Sequence, residues 1–80
     1  MEGIWIRTQS RKELWCATKF WIEVHFSEDF EEIEEAALKA GADDYRIIGT
    51  YSTEQRAFEV LNEIQKAIEN GVKVFEMPEA

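Results

Sequence analysis

The chain has 80 residues, with 9 Lys+Arg against 17 Asp+Glu, one His and one Cys, for a formal net charge of −8. At this length a chain holds one core and buries only about 60 to 65% of its unfolded surface, so two domains are excluded and the stability margin is modest. Its 45% hydrophobic and 12% aromatic content is too apolar for disorder despite 32% charge, and its acidity excludes a protein that tracks a nucleic-acid backbone with lysines and arginines.

Met1-Glu2-Gly3-Ile4 has neither the basic start nor the long apolar run of a signal peptide. Ile4 to Gln9 and Leu14 to Phe26 alternate with period two and are rich in β-branched and aromatic residues, which predicts a β-hairpin. Ser27-Glu28-Asp29 is a helix cap with acids in the first turn. Phe30, Ile33, Ala37 and Ala40 then recur at helical spacing until Gly41, predicting a first helix. After Asp43-Asp44, Tyr45 to Tyr51 reads as a third strand. Ser52 opens a second helix with Gln55 at the capping-box position, an apolar stripe of Ala57, Leu61, Ile64 and Ile68, and Asn70-Gly71 at its end. Val72 to Glu76 is a last short strand, and Pro78 stops pairing beyond it. The expected architecture is one α+β domain over residues 1–80: a two-layer, mainly antiparallel sheet in the order β-β-α-β-α-β with both helices on one face.

Within the second strand the even positions Leu14, Cys16, Phe20, Ile22, Val24 and Phe26 are apolar, broken only by Thr18, so the even face is expected to be the core face. Ile4 and Ile6 should join it, and even-with-even pairing requires an odd loop of three or five residues around Ser10-Arg11-Lys12. Trp5, Trp15 and Trp21 then share the opposite face with Arg7, Gln9, Lys19 and His25. Three exposed tryptophans make a patch of the size that marks an interface. Two occupants suit it: a second copy of the chain in a homo-oligomer, or a nucleotide-like ligand whose base stacks on an indole while Arg7, Gln9 and Lys19 contact phosphate or ribose.

Residues 1–12 hold three basic residues and one acid, the only basic patch, whereas Glu28 to Glu35 holds six acids in eight residues. The acidic run suits a solvated helix face. Its functional alternative is an inhibitory surface, Glu28, Glu31, Glu32, Glu34 and Glu35, that occupies a basic site on a host defence protein. Cys16 and His25 fall on opposite faces of one strand, and no phosphate loop, nucleophile elbow or metal-ligand spacing is present, so neither an enzyme nor a metal or other cofactor is expected. One cysteine closes no intrachain disulfide. Without a stretch near the 18 or so apolar residues of a membrane span, a cytoplasmic protein with no membrane partner is expected.

Trp5-Ile6-Arg7-Thr8-Gln9, Gly49-Thr50-Tyr51, Arg56-Ala57, Val60-Leu61, Ile64-Gln65 and Val74-Phe75-Glu76-Met77-Pro78 resemble a family of short proteins from Firmicutes bacteria and their phages. Members of that family open with a Trp-Ile-Arg-Ser-Gln-like strand and close with a Glu-Arg-Ala helix followed by Val-Phe-x-Met-Pro. The match covers both ends of the chain and departs at Thr8 and through Ser27 to Asp44. The resemblance implies a phage setting in the host cytoplasm. Small acidic phage proteins often look like inhibitors of host defence that sequester a nucleotide signal or block an effector.

Overall fold

The computed structural model describes residues 3–26, 33–41 and 44–80. In chain order its elements are β1 (Ile4–Arg7), β2 (Leu14–Ala17), β3 (Lys19–Phe26), β4 (Ile33–Gly41), β5 (Tyr45–Tyr51), α1 (Glu54–Glu69) and β6 (Val74–Glu76). They form two three-stranded sheets, ordered β2-β1-β6 and β3-β4-β5. Every pairing is antiparallel except that of β1 with β6. The class is α+β as expected, but the β-β-α-β-α-β order is not found. The described residues contain one helix.

The expected first helix is overturned by β4. Its Ile-Glu-Glu-Ala-Ala-Leu-Lys-Ala-Gly sequence is built from helix formers, yet it is the middle strand of its sheet, between β3 and β5. Backbone accounting supplies a reason: all eight residues of β3 stand opposite residues of β4, which gives partners to the amides and carbonyls that β3 turns toward it. Small side chains supply another. Ala36, Leu38 and Ala40 are almost wholly buried in the same core as Ala57, Val60, Ile64 and Ala67 of α1. Alanines on both sides let the helix lie close to the sheet, so tertiary packing overrides propensity. Ser27-Glu28-Asp29, Phe30 and Asp43 lie outside the described residues.

The long strand expected from Leu14 to Phe26 is divided at Thr18. Its first part pairs with β1 and its second with β4, and at the junction the Thr18 amide donates to the Gly41 carbonyl at 3.0 Å. The β1–β2 register sets Ile4 opposite Ala17, Trp5 opposite Cys16 and Ile6 opposite Trp15. Even therefore faces odd, across a six-residue connection from Thr8 to Glu13, and the expected even-numbered core face and odd loop are both corrected for β2. Ala17 is buried with Ile4 and Ile6, while Leu14 and Cys16 turn outward. In β3 the expected parity holds, with Phe20, Ile22 and Val24 packed against the core.

Helix α1 is capped by Thr53 rather than by Ser52: the Thr53 side chain accepts from the Arg56 amide. At its other end Gly71, with φ 72, accommodates a turn in which its own amide donates to Ile68 and that of Val72 to Ala67. The helix then delivers β6 beside β1 in parallel.

The two sheets and the C-terminal tail meet at one side chain. A bulge in β5 sets Leu38 opposite Gly49 and Lys39 opposite Ile47, leaving Ile48 unpaired with β4, and the Ile48 carbonyl accepts from the Gln9 amide at 2.8 Å. The Gln9 side chain accepts from the Thr50 amide at 2.9 Å through Oε1. Its Nε2 donates to the carbonyls of Thr50 (3.0 Å), Pro78 (3.2 Å) and Glu79 (2.9 Å). Tyr51 reinforces the tail by donating its hydroxyl to the Pro78 carbonyl at 2.9 Å, and Met77 is fully buried beneath.

Gln9→Ala is expected to cost roughly 2 to 3 kcal/mol in urea unfolding, since it removes several bonds and leaves part-buried backbone groups unpaired. Gln9→Glu should cost more at neutral pH, because a carboxylate has no hydrogen to offer three carbonyls. Burial holds the Tyr51 hydroxyl above its ordinary pKa of 10. A folded value above the unfolded one gives a contribution that is full below pH 10 and lost as pH rises through the folded value. Tyr51→Phe should therefore lower stability by about 1 kcal/mol at pH 7 and make the alkaline loss of stability shallower, as read from urea midpoints between neutral and alkaline pH.

Candidate functional site

Bend and register part the six residues expected on one ligand face. Trp5 and Arg7, two apart on β1, remain together on the outer face of the β2-β1-β6 sheet, with their side chains about 7 Å apart along the strand. Cys16, Trp5 and Val74 form one row across that face, and Leu14, Arg7 and Glu76 the next. Trp5, Leu14 and Val74 are each a little under half exposed, and Cys16 is a free, exposed thiol.

The other four expected ligand residues are engaged or placed elsewhere. Trp15 is in register with the buried Ile6 and lies under the Arg46 guanidinium, 4.3 Å from its ring centroid; Arg46 is also ion-paired with Glu13, which ties β5 to the start of β2. Trp21 belongs to the other sheet, opposite Lys39, with its ring 5.7 Å from that of Tyr45 at 58°. Lys39 reaches over Tyr45 and is ion-paired with Glu23. The Lys39 hydrogen bond, helped by its charge, holds the Glu23 carboxyl below its ordinary 4.5. Gln9 is committed to the clasp between sheets and tail. Lys19 is exposed at the first position of β3. The single three-tryptophan face is thus corrected to three separate environments.

The connection between β1 and β2 is built around Thr8, which is 3% exposed. Its amide donates to the Glu13 carbonyl at 3.0 Å and its hydroxyl lies 3.2 Å from that of Ser10; the Ser10 hydroxyl in turn accepts from the Lys12 amide at 3.3 Å. Arg11 takes a positive φ of 68°, and its carbonyl accepts from Arg7 Nη1 at 3.2 Å. The carbonyl orients the guanidinium without neutralising it. Among the described residues Arg7 forms no ion pair, although Glu76 stands across from it on β6. Arg11 and Lys12 are exposed on the same connection. The result is a flat indole beside an unneutralised cation, with two further cations on the adjoining turn.

Sequence reasoning missed Leu14, Cys16 and Val74 as parts of this face. One signal was available for the first two: Thr18 is the single polar member of the even series, and the strand bends there.

The acidic surface takes a different form from that expected. Glu28, Glu31 and Glu32 lie outside the described residues. Glu34 and Glu35 belong to β4 rather than to a helix, and Glu35 Oε1 lies 3.9 Å from His25 Nδ1. Cys16 and His25 sit in different sheets, on β2 and β3. No group of three or more His, Cys, Asp or Glu among the described residues is placed to hold a metal ion, and no helix among them is long and apolar enough to cross a membrane. Comparison of the chain with protein-family models, with curated proteins and with solved structures returned no match.

Proposed function

We propose that the protein is a non-enzymatic, stoichiometric binder of a small nucleotide-like ligand, held on the outer face of the β2-β1-β6 sheet. Trp5 stacks the base, Arg7 contacts phosphate, and Arg11 and Lys12 add charge from the turn. One observation carries the reading: Arg7 is oriented by a neutral carbonyl and forms no ion pair among the described residues, beside an indole that is 45% exposed. A cation held ready without a counter-charge favours an anion, and an aromatic face beside it favours a flat ring. Elsewhere the chain is strongly acidic, so this short strand pair is where a small anion is best received. In the phage setting that the sequence resemblance implies, capture of a nucleotide signal counters host defence by lowering its free concentration.

The test is a thermal-shift and calorimetric panel of cyclic and linear nucleotides at about millimolar concentration. A ligand at 100 times its dissociation constant adds about 2.7 kcal/mol, which in a domain of this size raises the melting temperature by roughly 10 to 20 °C. Trp5→Ala and Arg7→Ala should each weaken binding about tenfold or more, whereas Trp21→Ala, on the other sheet, should leave it unchanged. Absence of any shift across the panel overturns the proposal, as does a loss that follows Trp21 instead of Trp5.

A further inference from the structure

The ligand face carries one charged group that neither base stacking nor phosphate binding uses. Glu76 on β6 stands in register with Arg7 and is exposed. Neighbouring strands lie about 4.8 Å apart, which is within reach of an ion pair, yet among the described residues neither side chain is in one. Arg7 Nη1 turns to the Arg11 carbonyl instead. The position of Glu76 is nevertheless well fixed. Phe75 before it packs against the core, Met77 after it is fully buried, and the Met77 amide donates to the Arg7 carbonyl at 3.1 Å. The backbone therefore holds an acid beside the cation proposed to receive the phosphate. A carboxylate only accepts hydrogen bonds and repels a phosphate, so it costs affinity there unless the ligand also brings it hydrogen-bond donors.

The order of parts in a nucleotide identifies those donors. Trp5 and Val74 belong to one row across the face, and Arg7 and Glu76 to the next, about 7 Å further along the strands. With the base on Trp5 and the phosphate on Arg7, the ribose lies between the rows, since the sugar joins base to phosphate. Glu76 is one strand to the side of Arg7 and diagonal to Trp5, so its carboxylate is set beside the sugar rather than under the base. The 2′ and 3′ hydroxyls of ribose are two adjacent O–H donors, and a carboxylate has two oxygens to accept from them. We infer, on the basis of the function proposed above, that Glu76 is the specificity-determining residue of this face: it selects a ribonucleoside 5′-phosphate whose 2′ and 3′ hydroxyls are both free. The same carboxylate disfavours a 2′-deoxy sugar, which leaves it one donor short, and a phosphate on the 2′ or 3′ oxygen, which sets like charges together. The ligand class is thereby narrowed to ribonucleotides that are not closed or phosphorylated through those oxygens.

Calorimetric titration of the full chain tests this with three sets of probes: the common ribonucleoside 5′-monophosphates, their 2′-deoxy counterparts, and the corresponding nucleoside 3′,5′-bisphosphates. For whichever base binds best, the wild type should prefer the ribose form to the deoxy form by about tenfold, the range of one hydrogen bond to a charged group, and should bind the bisphosphate more weakly than the monophosphate. Glu76→Ala should bring the ribose and deoxy forms close to equal while strengthening binding of the bisphosphate. Glu76→Gln, which still accepts through one oxygen but carries no charge, should keep part of the ribose preference and lose the discrimination against the bisphosphate. Opposite movements on different probes separate recognition of the sugar from a structural role, which would weaken all of them alike. Nucleotide binding without a ribose preference overturns the inference and leaves the proposed function standing. So does a preference that survives Glu76→Ala, a uniform loss in that variant, or binding confined to 3′,5′-cyclic forms. Absence of binding by every nucleotide overturns both.

Discussion

The fold depends on one amide. Gln9, the second residue beyond β1, is the point at which the β1–β2 connection, the bulged part of β5 and the C-terminal tail are joined, and it engages four backbone groups through a single side chain. Asparagine carries the same paired donor and acceptor on a shorter stem, lysine and arginine only donate, and an ionised glutamate only accepts. The bulge at Ile48 and the clasp are one device: the extra residue frees a carbonyl, the Gln9 backbone amide takes it, and the Gln9 side chain is thereby aimed at Thr50 and the tail. Gly49 belongs to the same device, because a β-carbon there would stand 3.0 Å from the Tyr51 hydroxyl and 3.1 Å from the Met77 methyl group. In a chain with so small a core, ordering the tail in this way brings Met77 into the interior and closes the end of β6 against β1 through the bond from Met77 N to Arg7 O at 3.1 Å.

What the sequence makes legible follows from how local its cause is. The long helix, its Asn70-Gly71 ending, the strand from Tyr45 to Tyr51 and the short strand before Pro78 were readable because caps, turn residues and breakers act within a few positions. The cap itself was displaced by one, since Ser52 and Thr53 are chemically alike and only the backbone decides which accepts. Residues 33–41 were misread because alanine, leucine, glutamate and lysine favour a helix in isolation, and what makes them a strand is the need of β3 for a partner some fifteen residues earlier in the chain. The face of β2 was misread for a related reason: parity cannot be carried through a bend, and a six-residue connection changed the register of everything before Thr18. Of the ligand residues expected, only Trp5 and Arg7 stayed together, because they lie on one uninterrupted strand.

The three tryptophans show how a small acidic domain divides its cations. Arg46 is committed between Trp15 and Glu13, and Lys39 between Tyr45 and Glu23. In both, a ring and a carboxylate share one cation, so little charge remains for a ligand. Arg56 follows the same pattern with Tyr51 and Glu59, and also donates from Nε to the Ala80 carbonyl at 3.2 Å. Arg7 departs from the pattern. Its indole neighbour is beside it on the strand rather than beneath it, and its partner is a carbonyl held outward by the left-handed conformation of Arg11.

That difference bears on the exposed apolar surface as well. A chain of this size cannot bury all of its large side chains, but scattered exposure would leave them singly placed. Among the described residues nine are exposed: Trp5, Leu14 and Val74 share one sheet face, Phe58 and Ile68 lie on the helix, and Phe26, Tyr45, Ile47 and Val72 lie elsewhere. The first group adjoins Arg7, which forms no ion pair among the described residues, and the second borders a groove lined also by Gln65 and Glu69, the Gln65 Nε2 donating to Glu69 Oε1 at 3.3 Å. A surface meant for an anion needs the charge. Of the two, only the sheet face sets an indole beside a cation that forms no ion pair among the described residues, so the small anion is assigned to it.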